Sequence, residues 1–165
     1  MAFNQLGRQV IKETMSGTYD SSIDQDDSNE GVLVKFGTDN HLWRNGQPSY
    51  VKTTDVTDLV AGVLLNVSGA KISSTTQPSL YPYGTVPGGR VCTVATRGIV
   101  LVKFTNAILI NSVGRYVVPS ATDGEAQWKT TPATDDHVMG VIVAADINAA
   151  NNLALVSINL PTLPK

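Results

Sequence analysis

Two stretches of this chain repeat the same pattern, and the repeat limits what the chain can fold into. Residues 45–67 align without a gap on residues 123–145. Each stretch opens with a dipeptide typical of tight turns, Asn-Gly or Asp-Gly, and each ends in a Val-x-Gly-Val step. The pentapeptide Val-Leu-Val-Lys-Phe precedes both, at residues 32–36 and 100–104. The pattern predicts one β-rich unit used twice. Because β-rich sequences share Val, Thr and Gly, chance similarity is the alternative to duplication.

Apolar residues also alternate with polar ones, as they do in half-buried strands. Val32, Val34 and Phe36 fall on one face of a predicted strand. Residues 154–160 alternate in the same way and predict a closing strand. Short strands at close spacing, joined by turns that contain Gly and Pro, are typical of β-sandwiches and barrels. The predicted fold class is therefore all-β, an antiparallel β-sandwich or barrel, with a jelly-roll-like topology as one option.

The chain length sets the domain organisation. A chain of 165 residues is long enough for one domain with a real core and short for two. We expect an N-terminal arm at residues 1–30 and a single β domain at residues 31–165. Within the domain, the repeat suggests two halves at residues 31–67 and 98–145.

The first thirty residues differ in composition from the rest. Phe3, Leu6, Val10 and Ile11 approximate a helical or irregularly apolar pattern. Residues 20–30 are acidic and nearly free of apolar side chains, a composition that does not offset the entropy of ordering a chain. We expect an extended arm with an apolar tip on an acidic tether. An ordinary disordered terminus is the alternative.

The charge balance bears on the partners that the chain can have. The net charge is −2, and no cluster of Lys and Arg exceeds two neighbours, so nucleic acid is not an expected partner. The charged fraction is 16%, below the roughly 25% that is usual for soluble domains. Uncharged polar groups cost less to bury than ions do, so such a surface suits extensive contacts between subunits.

The sequence also bears on the compartment. The longest apolar runs, such as residues 138–145, are too short to span a bilayer, so no membrane partner is expected. Arg8, Lys12 and Glu13 stand where a signal peptide would need an unbroken apolar run. Cys92 is the single cysteine and has no internal disulfide partner. We expect a protein that is intracellular when it is synthesised.

No motif in the chain carries a recognisable catalytic or metal-binding chemistry. His41 and His137 have no accompanying ligand set, whereas zinc sites need three or four protein ligands. Cys92 has no His nearby in sequence. A stretch with the alternate spacing of a calcium loop has Asn29 where the loop needs Gly and Lys35 where it needs Glu. Its other members are Asp24, Asp26, Ser28 and Glu30. We therefore expect no enzyme activity, no catalytic residue, no metal and no cofactor.

The aromatic residues fall into two groups. Trp43 precedes one predicted turn and Trp128 follows the other, and we expect both to close the ends of the barrel. Tyr81 and Tyr83 lie in a Pro- and Gly-rich loop at residues 73–90, and aromatic residues on such loops often form interface hot spots. The residues expected to contact a partner protein or a neighbouring subunit are Phe3, Leu6, Arg8, Val10, Ile11, Tyr81 and Tyr83.

The order of short signatures along residues 31–160 resembles that of a known family. It contains a Gly-Val step, a central Gly-Ile-Val strand, a second Gly-Val step and an alternating last strand. The segments are residues 31–36, 60–63, 97–102, 110–118, 137–142 and 153–160. This rhythm resembles the small β-rich capsid decoration, or structural cement, proteins of tailed bacteriophages. The acidic N-terminal arm departs from the compact members of that family.

The resemblance implies a function without catalysis. Family members are often trimers that clamp neighbouring major capsid subunits on the exterior of the shell. The expected partners are thus the major capsid protein and further copies of this chain, in a homotrimer. The expected location is the capsid exterior of the virion, with assembly in the host cytoplasm. An arm that crosses a neighbouring subunit adds contact area, and a trimer multiplies a weak contact through avidity.

Two functions of other classes are alternatives. A carbohydrate-binding head or fibre module of a virion would use Trp43, Tyr81 and Tyr83 as stacking platforms for sugars. An enzyme would need acidic residues assembled in space around a cleft, with perturbed pKa values.

Overall fold

The computed structural model describes residues 9–19, 31–37, 48–72, 89–145 and 152–160. Within these ranges the chain is all-β apart from one short 3₁₀ turn at Ile110–Ser112, which confirms the predicted fold class. Nearly all strand pairs are antiparallel, and the exception is the short contact between β1 and β3. The nine strands are β1 (Val10–Tyr19), β2 (Leu33–Phe36), β3 (Ser49–Lys52), β4 (Gly62–Ile72), β5 (Gly89–Lys103), β6 (Tyr116–Pro119), β7 (Ala126–Lys129), β8 (Gly140–Ala145) and β9 (Leu153–Asn159).

The first five strands close into a ring. Their hydrogen-bonded order is β1-β3-β2-β4-β5, and β1 also pairs with β5 over most of its length. Closure leaves each strand with a neighbour on both sides over part of its length, which is how barrels remove sheet edges. We call this ring the N-terminal barrel.

The remaining strands form a second ring that shares β5 with the first. The sheet continues from β5 through β9, β8 and β6 to β7. A single parallel bridge between Phe104 and Ala126 returns β7 to the end of β5. We call this ring the C-terminal barrel. The 15-residue strand β5 therefore belongs to the N-terminal barrel through its first part and to the C-terminal barrel through residues 97–103.

The two barrels carry the same backbone hydrogen bonds. The amide of Gly31 donates to Leu64 O at 3.0 Å, and the amide of Gly114 donates to Ile142 O at 2.8 Å. Both glycines have positive φ, 79° and 84°. A β-bulge follows Leu64 in the β4–β5 pair and Ile142 in the β8–β9 pair. In this correspondence β1 matches the end of β5, while β2, β3, β4 and the first part of β5 match β6, β7, β8 and β9. Two further pairs of bonds match. The bond from Leu64 N to Val32 O matches that from Ile142 N to Arg115 O, and the bond from Ala61 N to Val34 O matches that from Met139 N to Val117 O.

This correspondence differs from the sequence alignment at β2 and at β3, where Tyr50 holds the position of Ala126 and not that of Trp128. The repeated pentapeptide pairs residues 32–36 with residues 100–104, but the hydrogen bonds place residues 115–119 in the position of residues 32–36. The segment at 100–104 instead corresponds to the end of β1. Downstream, the alignment of residues 62–67 with 140–145 agrees with the structure, including the bulge.

Each barrel has an apolar interior, and the barrels pack against each other. Val34 and Leu64 lie inside the N-terminal barrel in a cluster with Tyr50. On the opposite face of β2, Leu33 joins the larger cluster that fills the C-terminal barrel. The turn before β7 also docks here, because the Leu33 amide donates to Gly124 O at 2.7 Å. The second barrel therefore covers the face of β2 that carries Leu33.

The segment predicted as an arm contributes a strand. Residues 10–19 pair with β5, and residues 18–19 reach β3. The expected helical or irregular pattern at Val10 and Ile11 is therefore a strand in this structure. Residues 1–8 and 20–30, including the calcium-like acidic stretch, lie outside the described residues. The boundary between arm and domain stays a prediction.

A carboxylate caps the turn before β4 and the matching turn before β8. Asp58 accepts hydrogen bonds from Lys35 Nζ at 2.8 Å and from the amide of Thr54 at 2.7 Å. Asp136 accepts from Lys129 Nζ at 2.7 Å and from the amide of Ala133 at 2.5 Å. Burial raises the pKa of Asp58, but the hydrogen bonds outweigh it, and the net pKa is below the ordinary value. The hydrogen bond from Lys129 lowers the pKa of Asp136.

These capped turns predict a loss of stability in acid. A carboxylate whose pKa is lower in the folded state stabilises the fold above its unfolded pKa of about 3.9, and this stabilisation is lost as pH falls through the folded pKa. We expect the free energy of unfolding, measured by urea titration, to fall between about pH 5 and about pH 2. The double variant D58N/D136N should show a shallower fall. The exposed neighbour Asp135, changed to Asn, is the control, and equal slopes in both variants would contradict the assignment.

Candidate functional site

The structure describes part of the predicted contact set. Val10 and Ile11 lie on β1 and are 50% and 39% exposed. Phe3, Leu6, Arg8, Tyr81 and Tyr83 lie outside the described residues, so their contact role stays a prediction. Trp43, which the carbohydrate-binding alternative also needs, lies outside them as well.

The first part of β1 is an exposed strand with apolar side chains. Val10 and Ile11 are joined by Met15, which is 39% exposed. In this stretch β1 pairs with β5 along one edge, and its pairing with β3 is confined to Thr18 and Tyr19. Exposed apolar side chains beside an incompletely paired strand edge are typical of sites where another chain binds.

Close backbone contacts hold this strand on β5. Gly98 of β5 has a φ of 130°, and a Cβ there would collide with Val10 O and approach Lys12 N to 2.9 Å. Only glycine therefore allows β1 to lie this close. The Gln9 side chain accepts a hydrogen bond from the Leu101 amide at 3.0 Å.

A second exposed apolar surface lies on the C-terminal barrel. We call it the turn patch, and its most exposed member is Ile110, at 75%. Tyr116 lies opposite Val141 in the β6–β8 pair, and Val143 is the exposed residue of β8 at the bulge that follows Ile142. The members of the turn patch are Leu109, Ile110, Val113, Tyr116 and Val143, and none of them carries a charge.

Hydrogen bonds fix the backbone of the turn that carries Ile110. Ser112 is fully buried, its Oγ accepts from the Leu109 amide at 3.1 Å, and its own amide donates to Leu109 O at 2.8 Å. Next along the chain, Gly114 bonds to Ile142 O at 2.8 Å. Before the turn, Ile108 is 1% exposed and anchors the loop in the core. The turn therefore presents Ile110 on a preorganised backbone.

Polar side chains brace the other end of this loop. The Asn106 amide group bonds to both the N–H and the C=O of Trp128, at 3.3 and 3.4 Å, in the manner of a neighbouring strand. Trp128 Nε1 donates to Ala107 O at 2.9 Å, and its ring packs against the core. The Arg115 guanidinium lies 6.0 Å from the Trp128 ring centre, within reach of a cation–π interaction.

Sequence reasoning missed the turn patch. The run from Ile108 to Ile110 is apolar, and residues 110–118 were taken only as one segment of the family pattern, with no turn predicted inside it. The strand begins at Tyr116 instead, after the 3₁₀ turn and Gly114. The signal in the sequence was the Asn-Ser pair that follows Ile110, since Asn and Ser favour turns over strands.

Among the described residues, no group of three or more His, Cys, Asp or Glu side chains has the geometry to hold a metal ion. Burial raises the pKa of the Cys92 thiol to about 12, which leaves it protonated and unreactive at neutral pH. No helix in the described part of the chain is long and apolar enough to cross a membrane.

Comparison with known proteins identifies a family. A family model described as "Structural cement protein (E217 gp24/Pam3 gp6)" matches residues 12–159. The match begins inside β1 and ends at the last residue of β9, so it includes both barrels and the turn patch. No curated protein matches the chain.

Proposed function

Because the chain belongs to the structural cement protein family of phages, with a capsid structural role, we propose that it binds the outer surface of the phage head. There it stabilises the contacts between neighbouring major capsid subunits. The observation that carries this proposal is the family match over 12–159, which spans nearly the whole described fold.

The turn patch supports the proposal physically. A hot spot binds best when its apolar side chain is held in place before contact, because little conformational entropy is then lost. Ile110 meets this condition, since its turn is fixed by Ser112 and by Gly114. The patch is uncharged, so its burial against a capsid subunit carries no cost of ion desolvation.

The further parts of the proposal concern partners and place. The major capsid protein is the proposed partner, with self-association into a homotrimer that raises avidity on the shell lattice. The protein assembles with heads in the host cytoplasm and remains on the capsid exterior of the virion. Nucleic acid and membranes are not partners in this proposal.

A direct binding experiment tests the function. Purified protein is mixed with mature heads that lack it, and the bound protein is measured by co-sedimentation and imaged by electron cryo-microscopy. Saturable binding at a fixed ratio to the major capsid protein, together with a higher melting temperature of the heads, is expected. A variant that lacks residues 2–8 but keeps β1 measures the contribution of the arm. Binding that does not saturate, or binding to disassembled capsid protein alone, would overturn the proposal.

Replacing Ile110 by Lys is expected to weaken head binding by at least about tenfold, as loss of an interface hot spot does. Ile110 is largely exposed, so the change should leave the melting temperature of the free protein nearly unaltered. The matched control is Thr134→Lys, which adds the same charge to an exposed turn outside the patch. Equal binding by I110K and the wild-type protein would show that another surface faces the capsid.

A further inference from the structure

The outer edge of β1 is incomplete in the described structure. From Val10 to Gly17, β1 pairs with β5 on one side, and no described residue pairs with the other side. A strand with an open edge is a template for a further strand, and proteins normally cover or block such edges. At the other end of the strand order, the Asn106 side chain occupies the edge of β7 through its two bonds to Trp128.

The C-terminal barrel shows how the matching edge is covered. By the correspondence of the two barrels, residues 12–17 of β1 hold the position of residues 97–102 of β5. The edge of β5 at that position is covered by an antiparallel strand, which is the start of β1 itself. The pairs are Val10 with Ile99, Ile11 with Gly98 and Glu13 with Arg97.

Transferring this register to the open edge of β1 gives a specific pairing. A strand with the sequence of β1 would place its Val10 opposite Thr14, its Ile11 opposite Glu13, and its Glu13 opposite Lys12. Of these pairs, Glu13 with Lys12 becomes reciprocal when a two-fold axis lies between the two residues, and Val10 then lies opposite Met15. Two copies of β1 can therefore pair with each other about a two-fold axis between Lys12 and Glu13, which is the symmetry of an isologous contact.

The chemistry of the strand is self-complementary in this register. The centre brings Lys12 of each copy beside Glu13 of the other, and both side chains are exposed in the single chain. The flanks bring Val10 beside Thr14 and the neighbouring Met15, so exposed apolar surface is covered on both sides of the charged centre. A bulge at Lys12 leaves this residue out of the ladder with β5.

We infer that β1 binds β1 of a second copy of this chain, edge to edge and antiparallel, so that the two sheets become continuous. The inference goes beyond the proposed function and does not depend on it. A two-fold contact joins copies in even numbers. If the protein is otherwise a monomer, the contact gives a dimer, and if it is a trimer, the contact joins two trimers.

Charge reversal at the centre tests the contact. The mass of the purified full-length chain is measured by light scattering after size exclusion and by sedimentation velocity over a range of concentrations. An even-numbered assembly is expected. Lys12→Glu and Glu13→Lys should each weaken it by at least about tenfold, because two cross-strand pairs per contact become repulsive. The double variant K12E/E13K restores opposite charges and should restore the assembly.

The control variant separates this contact from an effect within the chain. Glu13 also pairs with Arg97 at 3.3 Å, and Arg97→Gln removes that pair without changing Lys12 or Glu13, so its assembly should match that of the wild type. Circular dichroism confirms that each variant stays folded. An odd-numbered or monomeric wild type, an assembly that K12E leaves unchanged, or a double variant that stays dissociated would each overturn the inference. Head binding is measured separately, so its failure is distinguishable.

Discussion

Replacing Tyr50 by Ala is expected to lower the free energy of unfolding by about 3–5 kcal/mol, as other losses of large buried aromatic rings do. Tyr50 is fully buried in the N-terminal barrel and stacks on Phe36 with 5.6 Å between ring centres. Its hydroxyl has no hydrogen-bond partner among the described residues, and burial raises its pKa to about 12. The substitution therefore removes packing and breaks no hydrogen bond within the described part of the chain, and denaturant titration at neutral pH measures the loss.

The C-terminal barrel supplies a compensating change for this variant. The positions of Gly17 and Tyr50 in the first barrel correspond to those of Val102 and Ala126 in the second, where both residues are fully buried. A Cβ at Gly17 would collide with Pro48 O and would lie 2.5 Å from Tyr50 Cε2, so Gly17→Val alone should destabilise the protein. In the double variant the new side chain fills part of the space that the ring leaves.

We expect the double variant G17V/Y50A to be more stable than the sum of the single changes allows, by at least about 1 kcal/mol. The three variants and the wild-type protein form a double-mutant cycle, measured by the same denaturant titration. Additive effects would mean that the two positions do not share one packing site, and the correspondence between the barrels would then fail at this point.

Replacing Gly98 by Ala is expected to cost about 2–5 kcal/mol, through a strained φ and a collision in a packed region. The backbone of Gly98 has a φ of 130°, and a Cβ would strike Val10 O and come within 3.0 Å of Ile11 Cα. The strand β1 must then move away from β5. Hydrogen exchange measured by mass spectrometry should show faster exchange at residues 10–14 than in the wild-type protein, with a lower melting temperature.

Gly114 provides the matched control. It also has a positive φ, 84°, but an added Cβ would meet no atom within 4 Å. Gly114→Ala should therefore show the conformational cost alone, about 1 kcal/mol, and no change in exchange at β1. Equal losses in G98A and G114A would show that the close approach of β1 adds nothing to stability.

The pattern of apolar residues predicted the strands that bury their own apolar side chains in a barrel. The last predicted strand, residues 154–160, corresponds to β9, and the Val-x-Gly-Val steps correspond to the starts of β4 and β8. The strand β9 has a clear period of two because Ala154, Val156 and Ile158 lie on one face in the core. The fold class followed from that pattern together with the turn residues.

The strand β1 was not predictable in this way. Its residues from Val10 to Ser16 are all exposed, so no apolar face marks it as a strand. It is a strand because β5, far away in sequence, offers an edge and a glycine at position 98. The shared pentapeptide misled the alignment for a related reason. The strands β2 and the end of β5 both face buried surroundings and so favour similar residues, although they hold different places in their barrels.

The candidate contact surfaces were predictable only in part. Val10 and Ile11 were predicted as contact residues because apolar residues near a polar terminus stand out in a sequence, and the structure shows that both are exposed. The turn patch was missed because Ile110 follows a buried Ile108, and a sequence does not show that the chain reverses between them. Exposure of an apolar side chain depends on the turn that carries it, and this turn is set by Ser112 and by the distant Ile142.

The single strand that runs through both barrels also determines how the molecule bears force. A pull on either half passes along the continuous covalent backbone of β5 (Gly89–Lys103), and the hydrogen bonds on both of its flanks are then loaded together in shear. Neither barrel can separate from the other while both stay folded, because β5 is part of both. Under tension the molecule should consequently unfold in a single step.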